Sequence, residues 1–107
     1  MGEVVKLTRG RAIKWAKKRI KQLWEDGEVD FPVHATERLE ERGLDANDIQ
    51  HAIRYGSVTR GGPSDFPDTP RRFVVEGTAV DGEPIVCVVD VNGTLVVVTA
   101  YPKEWQT

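Results

Sequence analysis

His34, Arg38 and Arg42 stand four residues apart in this 107-residue chain. On a helix begun at the histidine, that spacing sets all three along one stripe, because 3.6 residues make a turn. Histidine, with an ordinary pKa of about 6.5, can take or give a proton near neutrality. Arginine is permanently charged and grips phosphate through paired donors. The set suits cleavage of an RNA phosphodiester by its own 2′-hydroxyl. A base takes that proton, an acid protonates the departing 5′ oxygen, and cations hold the phosphorane charge. Tyr101, with Thr99 on the same strand and Lys103 just beyond, offers a second hydroxyl donor. A purely structural reading stands beside this one. In it His34 caps its helix, the arginines pair with Glu37, Glu40 or Glu41, and Tyr101 is a core-edge aromatic.

Other chemistries lack their residues. His34 and His51 have no acidic ligand pattern around them, so no metal site is expected. Gly61 and Gly62 lead into Pro63 with no Lys-Ser or Lys-Thr after them, which excludes a phosphate-cradling loop. Neither a nucleophile elbow nor a Cys–His pair is present. Cys87, the single cysteine, permits no intrachain disulfide or thiol zinc cluster. No cofactor is expected.

Three helices must position the stripe. Thr8 as N-cap and Gly27 as stop predict a first helix over 9–25. Ala12, Ile13, Ala16, Ile20, Leu23 and Trp24 share one arc of it, and Lys14, Lys17, Lys18 and Lys21 the other side. Trp15 leaves the apolar arc beside Arg11, Arg19 and Gln22, where it can stack on a base or, more commonly, pack against a loop or subunit. An extended piece over 29–33, broken by Pro32, precedes a second helix over 35–42 that Gly43 ends. Asp45 and Asp48 resemble a capping pair for a third helix to Tyr55, with Ile49, Ala52 and Ile53 inward and His51 a surface residue near Arg54.

The rest reads as sheet. A strand over 57–60 leads to a ten-residue Gly/Pro-rich loop over 61–70, long enough to border a cleft. Three Val-rich strands follow over 71–80, 84–91 and 94–101, with Asp81-Gly82 and Asn92-Gly93 as two-residue turns. Those turns put Val91 opposite Thr94, Val89 opposite Val96 and Cys87 opposite Val98, with Val74, Glu76 and Thr78 alongside. Phe73, Val75, Val86, Val88, Leu95, Val97, Thr99 and Tyr101 then share the other face. Both faces come out mostly apolar, so helices should cover one, and a second subunit, a partner or the long loop the other. Cys87 reads as a small buried hydrophobe.

The fold class is therefore α+β, N-terminal helices packed on a twisted antiparallel sheet of about four strands. One domain is expected over 1–107: a basic helix over 8–26, the His/Arg segment over 29–56 and a β-meander over 57–101. Hydrophobic residues at 39% and charged residues at 30% suit a globular core. No run nears the roughly 20 apolar residues of a membrane span. Residues 1–7 have neither a signal-peptide core nor, with Lys6, the hydroxyl expected of a myristoylation site. A cytoplasmic location follows as an expectation. The net charge of −2 hides seven bases and no acid between Arg9 and Lys21, the footprint of a polyanion or an acidic protein. Lys14, Lys18 and Lys21 are the candidate contacts for RNA there; nothing points directly to DNA.

Several of these residues carry a family resemblance. His34-Ala35, Arg38, Arg42-Gly43-Leu44, Asp48-Ile49 and Tyr55-Gly56 resemble the bacterial domain of unknown function DUF4258. So do the 72–77 stretch and the final Val-rich strand with Thr99 and Tyr101. The resemblance covers about 29–101, leaving the basic helix outside. That family is similar in layout to the RelE, BrnT and MqsR ribonuclease toxins. It implies a toxin-type, metal-independent endoribonuclease, neutralised by a cognate antitoxin protein. The implied site is His34, Arg38, Arg42, Thr99 and Tyr101, with Arg71 or Arg72 assisting. The rival reading is a non-catalytic module that dimerises or pairs with a partner through its apolar sheet face.

Overall fold

A computed structural model describes residues 8–106. The expectations resting on residues 1–7 lie outside them. Helix α1 spans Arg9–Glu25, and the Thr8 hydroxyl accepts from the Arg11 N–H at 3.2 Å. Ala12, Ala16, Ile20 and Leu23 are buried; Ile13 and Trp24 flank them half-buried. Gly27, at φ +74°, donates to the Trp24 carbonyl while Glu28 reaches back to Leu23, which closes the helix end.

Strand β1 (Val29–Asp30) follows, then helix α2 (Val33–Glu41). The latter begins two residues earlier than expected. Pro32, with φ fixed near the helical value, needs no N–H partner, and its carbonyl accepts from the Thr36 N–H at 3.0 Å. It also ends one residue earlier, leaving Arg42 as C-cap and Gly43 at φ +71°. Helix α3 (Ala46–Tyr55) opens on the expected capping box. The Asp45 carboxylate accepts from the Asn47 and Asp48 N–H groups, and Asp48 accepts from Asp45 N–H at 3.0 Å. The second Asp48 oxygen accepts from the Val80 N–H at 3.0 Å, which ties the helix start to a sheet turn.

Strands β2 (Ser57–Gly61), β3 (Arg72–Thr78), β4 (Pro84–Asn92) and β5 (Thr94–Pro102) complete one sheet in the order β1-β5-β4-β3-β2. A 3-10 turn, η1 (Lys103–Gln106), follows β5. The α+β architecture stands, but the sheet has five strands and is mixed. Val29 and Asp30 pair in parallel with Leu95 and Val96. Two residues ahead of a proline are too short a run to read as a strand.

Register also departs from the expectation. The chain reverses at Gly93, so Asn92 opposes Thr94 and Val91 opposes Leu95, one residue tighter than a two-residue turn. The β3–β4 connection is longer instead, with Ala79 N–H on the Glu83 carbonyl. A one-residue slip exchanges faces. Phe73, Val75, Ile85, Cys87, Val89, Val91, Leu95, Val97 and Ala100 therefore join α1, Leu39, Leu44 and α3 in one core. Burial pushes the Cys87 thiol up to about 12, so it behaves as the hydrophobe expected. A bulge at Val98 then restores Thr99 to the position opposite Val88, on the face away from the helices.

That second face is not apolar throughout. Val74 and Val86 are buried in it, and Val88 and Val96 half-buried. Between them Arg72 makes a bidentate pair with Asp90 (2.9 and 3.0 Å), and Lys103 reaches Glu76 at 3.0 Å.

Helix α3 lies so close to the sheet that a Cβ on Gly77 would come within 2.7 Å of the Ala52 carbonyl oxygen. Gly56 meets the Glu76 carbonyl in the same way. We expect Gly77→Ala to destabilise the fold by about 2–3 kcal/mol in chemical denaturation, since backbone must move. Gly10→Ala, with nothing within 4 Å, should instead gain a few tenths to about 1 kcal/mol.

Candidate functional site

Helix α2 packs on β5 through Ala35 and Leu39, both buried. Steps of four residues advance 40° around a helix, so the His34–Arg38–Arg42 stripe drifts rather than running straight. Its drift turns Arg42 towards β5 and leaves His34 and Arg38 exposed on the helix flank. Strand β1 covers the outer edge of β5 at Leu95 and Val96 only. Beyond it, Arg42 takes over: Nη1 donates to the Ala100 carbonyl at 2.8 Å and to Thr99 Oγ1 at 2.9 Å. The guanidinium also lies over the Trp105 ring, 5.2 Å from its centroid.

This is a preset cation. Its Nη1 protons and one π-face are held by protein, which fixes the plane of the group. Among the described residues nothing is bonded to the Nε and Nη2 donors, which form a two-pronged edge of the kind that matches a phosphate or carboxylate. At the C-cap of α2 the charge also opposes the negative end of the helix dipole. Arg42 and Thr99 are thus brought together, with Thr99 as an acceptor that orients Arg42. Tyr101 sits two residues along, half-buried on the same face. Trp105 was missed; an aromatic just past the final strand was its only signal.

The other candidates divide into two kinds. Arg72 and Lys103 are committed to Asp90 and Glu76. The Asp90 hydrogen bond raises the Arg72 pKa further, and hydrogen bonds from Lys103 and then Thr59 hold the Glu76 carboxyl below its usual range. Lys14, Lys18 and Arg71 are exposed, whereas Lys21 lies half-buried in a groove with Trp24 and Arg54. His51 is better fixed than a surface residue near Arg54 would be. Its Nδ1 lies 2.8 Å from the Thr78 carbonyl, which can only accept, so Nδ1 is the donor of that bond. The Tyr55 ring packs against it in a tilted contact, 4.8 Å between centroids. Among the described residues, no cluster of three or more His, Cys, Asp or Glu could hold a metal ion.

Fold and site define a small α+β domain with helices on one face of an open mixed sheet and an arginine clamped to the edge of its last long strand. The model of a domain of unknown function, DUF4258, matches residues 31–102, and the chain belongs to that family. The match takes in α2, α3 and β2–β5, and leaves out α1 and η1. Comparison with curated proteins and with solved structures gives no match.

Two outcomes follow from these contacts. Arg42→Ala should cost about 1.5–3 kcal/mol in urea unfolding, and Arg42→Lys should recover less than half, since a lysine cannot serve both acceptors and stack. The Glu76–Lys103 contribution is present at neutral pH. It should vanish as pH falls below the ordinary glutamate range, because the folded-state value is the lower one. Lys103→Ala should flatten that part of the acid limb of a stability–pH curve.

Proposed function

We propose that this protein is a metal-independent endoribonuclease of toxin type. The carrying observation is Arg42, held by Thr99, Ala100 and Trp105 with its Nε/Nη2 edge left for an anion, on the helix that exposes His34 and Arg38. In the reaction, Arg42 and Arg38 hold the scissile phosphate. His34 takes the proton of the 2′-hydroxyl as its oxygen bonds to phosphorus, and Tyr101 protonates the departing 5′ oxygen. The products are a 2′,3′-cyclic phosphate and a 5′-hydroxyl. Thr99 positions Arg42, and α1 with Lys14 and Lys18 steers RNA or receives an acidic antitoxin.

The rival role, pairing through an apolar sheet face, has less support. Arg72–Asp90 and Glu76–Lys103 stand on that face, and a dimer seam there would have to desolvate both pairs. Purified protein incubated with total RNA in the presence of a chelator tests the proposal. Wild type should cleave, and His34→Ala should be slower by about 100-fold or more. Cleavage undiminished by that substitution, or intact RNA with both proteins, would overturn the assignment.

A further inference from the structure

A cavity of about 350 Å3 opens between α1 and the 62–71 connection, lined by Ala12, Trp15, Pro63, Pro70, Arg71 and Phe73. We infer that it takes one unpaired nucleobase of an RNA strand, stacked on Trp15, with the adjoining phosphates on Arg71 and the flank of α1. The inference rests on RNA as the ligand of the protein but not on cleavage by His34.

Three observations carry it. Trp15 is 44% exposed, yet it is not loose: its ring packs at 6.0 Å against buried Phe73, which fixes the indole plane. A large aromatic held on one side and open on the other is a stacking platform that any base can use. The opposite wall is rigid as well. Asp65 accepts from the Gly61 N–H at 2.7 Å and from Arg9 Nε at 2.9 Å, while Arg9 also reaches the Thr59 carbonyl. Backbone bonds from Phe66 to Gly62, from Thr69 to Phe66 and from Arg72 to Thr69 complete the loop. These ties place Pro63 and Pro70 across from Trp15 without a side chain that must be rearranged first.

Charge selects the occupant. Helical geometry sets Arg11, Lys18 and Arg19 within about 60° of Trp15 around α1. Arg71 stands exposed at the rim. Of the loop's two acids, Asp65 is committed to Arg9 and Gly61, and Asp68 is exposed. An apolar slot lined by Arg71, beside a helix flank that carries Arg11, Lys18 and Arg19, suits a flat ring carried on an anionic backbone better than it suits an aliphatic ligand.

The test uses the full chain carrying His34→Ala, so that RNA survives, and the anisotropy of a 5′-fluorescein hexauridylate. Trp15→Ala should weaken binding by 10-fold or more, and Trp15→Phe by less than 3-fold. A hexamer of the same charge with abasic sugars should bind wild-type Trp15 as weakly as the normal hexamer binds the alanine variant. Arg71→Glu, whose side chain is outside the core, should also lose about 10-fold and lower the salt dependence; it serves if Trp15→Ala does not fold. Equal affinity of the Trp15→Ala variant or of the abasic strand would overturn the inference. So would an acidic peptide that binds in a Trp15-dependent way while the hexamer does not bind. Trp15-dependent binding by a wild-type protein that leaves RNA intact would uphold this inference and remove the catalytic one.

Discussion

The pairing of β4 with β5 decides what every other element can do. Because Val91 opposes Leu95, the alternate residues Ile85, Cys87, Val89 and Val91 face the helices together with Leu95 and Val97. Had the register held uniformly to the end of β5, Val98 would have followed Thr94 and Val96 onto the second face and Thr99 would have pointed into the core. The extra residue at Val98 prevents that. It brings Thr99 and Tyr101 out beside Val88 and Val86 and returns Ala100 to the core, where it is fully buried. A single bulge therefore places a hydroxyl on the outer face while its neighbour's carbonyl remains at the strand edge for Arg42.

That edge explains why the domain needs Arg42 whatever else it does. β1 is two residues long and protects only the first part of β5. An unpaired strand edge is a template for unwanted pairing and a set of unsatisfied backbone groups. The arginine answers the Ala100 carbonyl from a helix C-cap, and η1 supplies Trp105 as a lid over the guanidinium. The same hydrogen bonds that seal the edge immobilise the donor fork.

Local signals in the chain were legible where one residue type enforces one geometry. Thr8, the Asp45–Asp48 box, and Gly27 and Gly43 at positive φ set helix ends that the structure reproduces to within two residues. Helix burial was legible for the same reason, since a 3.6-residue period has little freedom. The sheet faces were not. Asn92-Gly93 permits more than one turn, and the tighter one used here shifts the pairing by a residue, which no composition signal reports. The Val98 bulge is equally silent. At the site, the spacing treated the stripe as straight, so it could not say that Arg42, at the C-cap, turns towards β5 while His34 and Arg38 stay exposed.

Charge accounting separates the cations that hold the fold from those available to a ligand. Arg9, Arg72 and Lys103 are each met by a carboxylate at 2.9–3.0 Å. A further anion at Arg72 or Lys103 would meet Asp90 or Glu76 as well, and the like charge would offset most of the attraction. Arg42 differs in that, among the described residues, its contacts are with neutral groups: a hydroxyl, a carbonyl and an indole. Those partners orient the guanidinium without neutralising it, so its full charge remains for an incoming anion while its conformational entropy has already been lost on folding. Arg71 and the basic Trp15 flank of α1 form another group that no carboxylate meets among the described residues, built half from the DUF4258 domain and half from the helix that precedes it. An anionic chain would thus meet a rigid, bidentate group at the β5 edge and a slot with a stacking ring beside α1, with the internally paired cations contributing little between them.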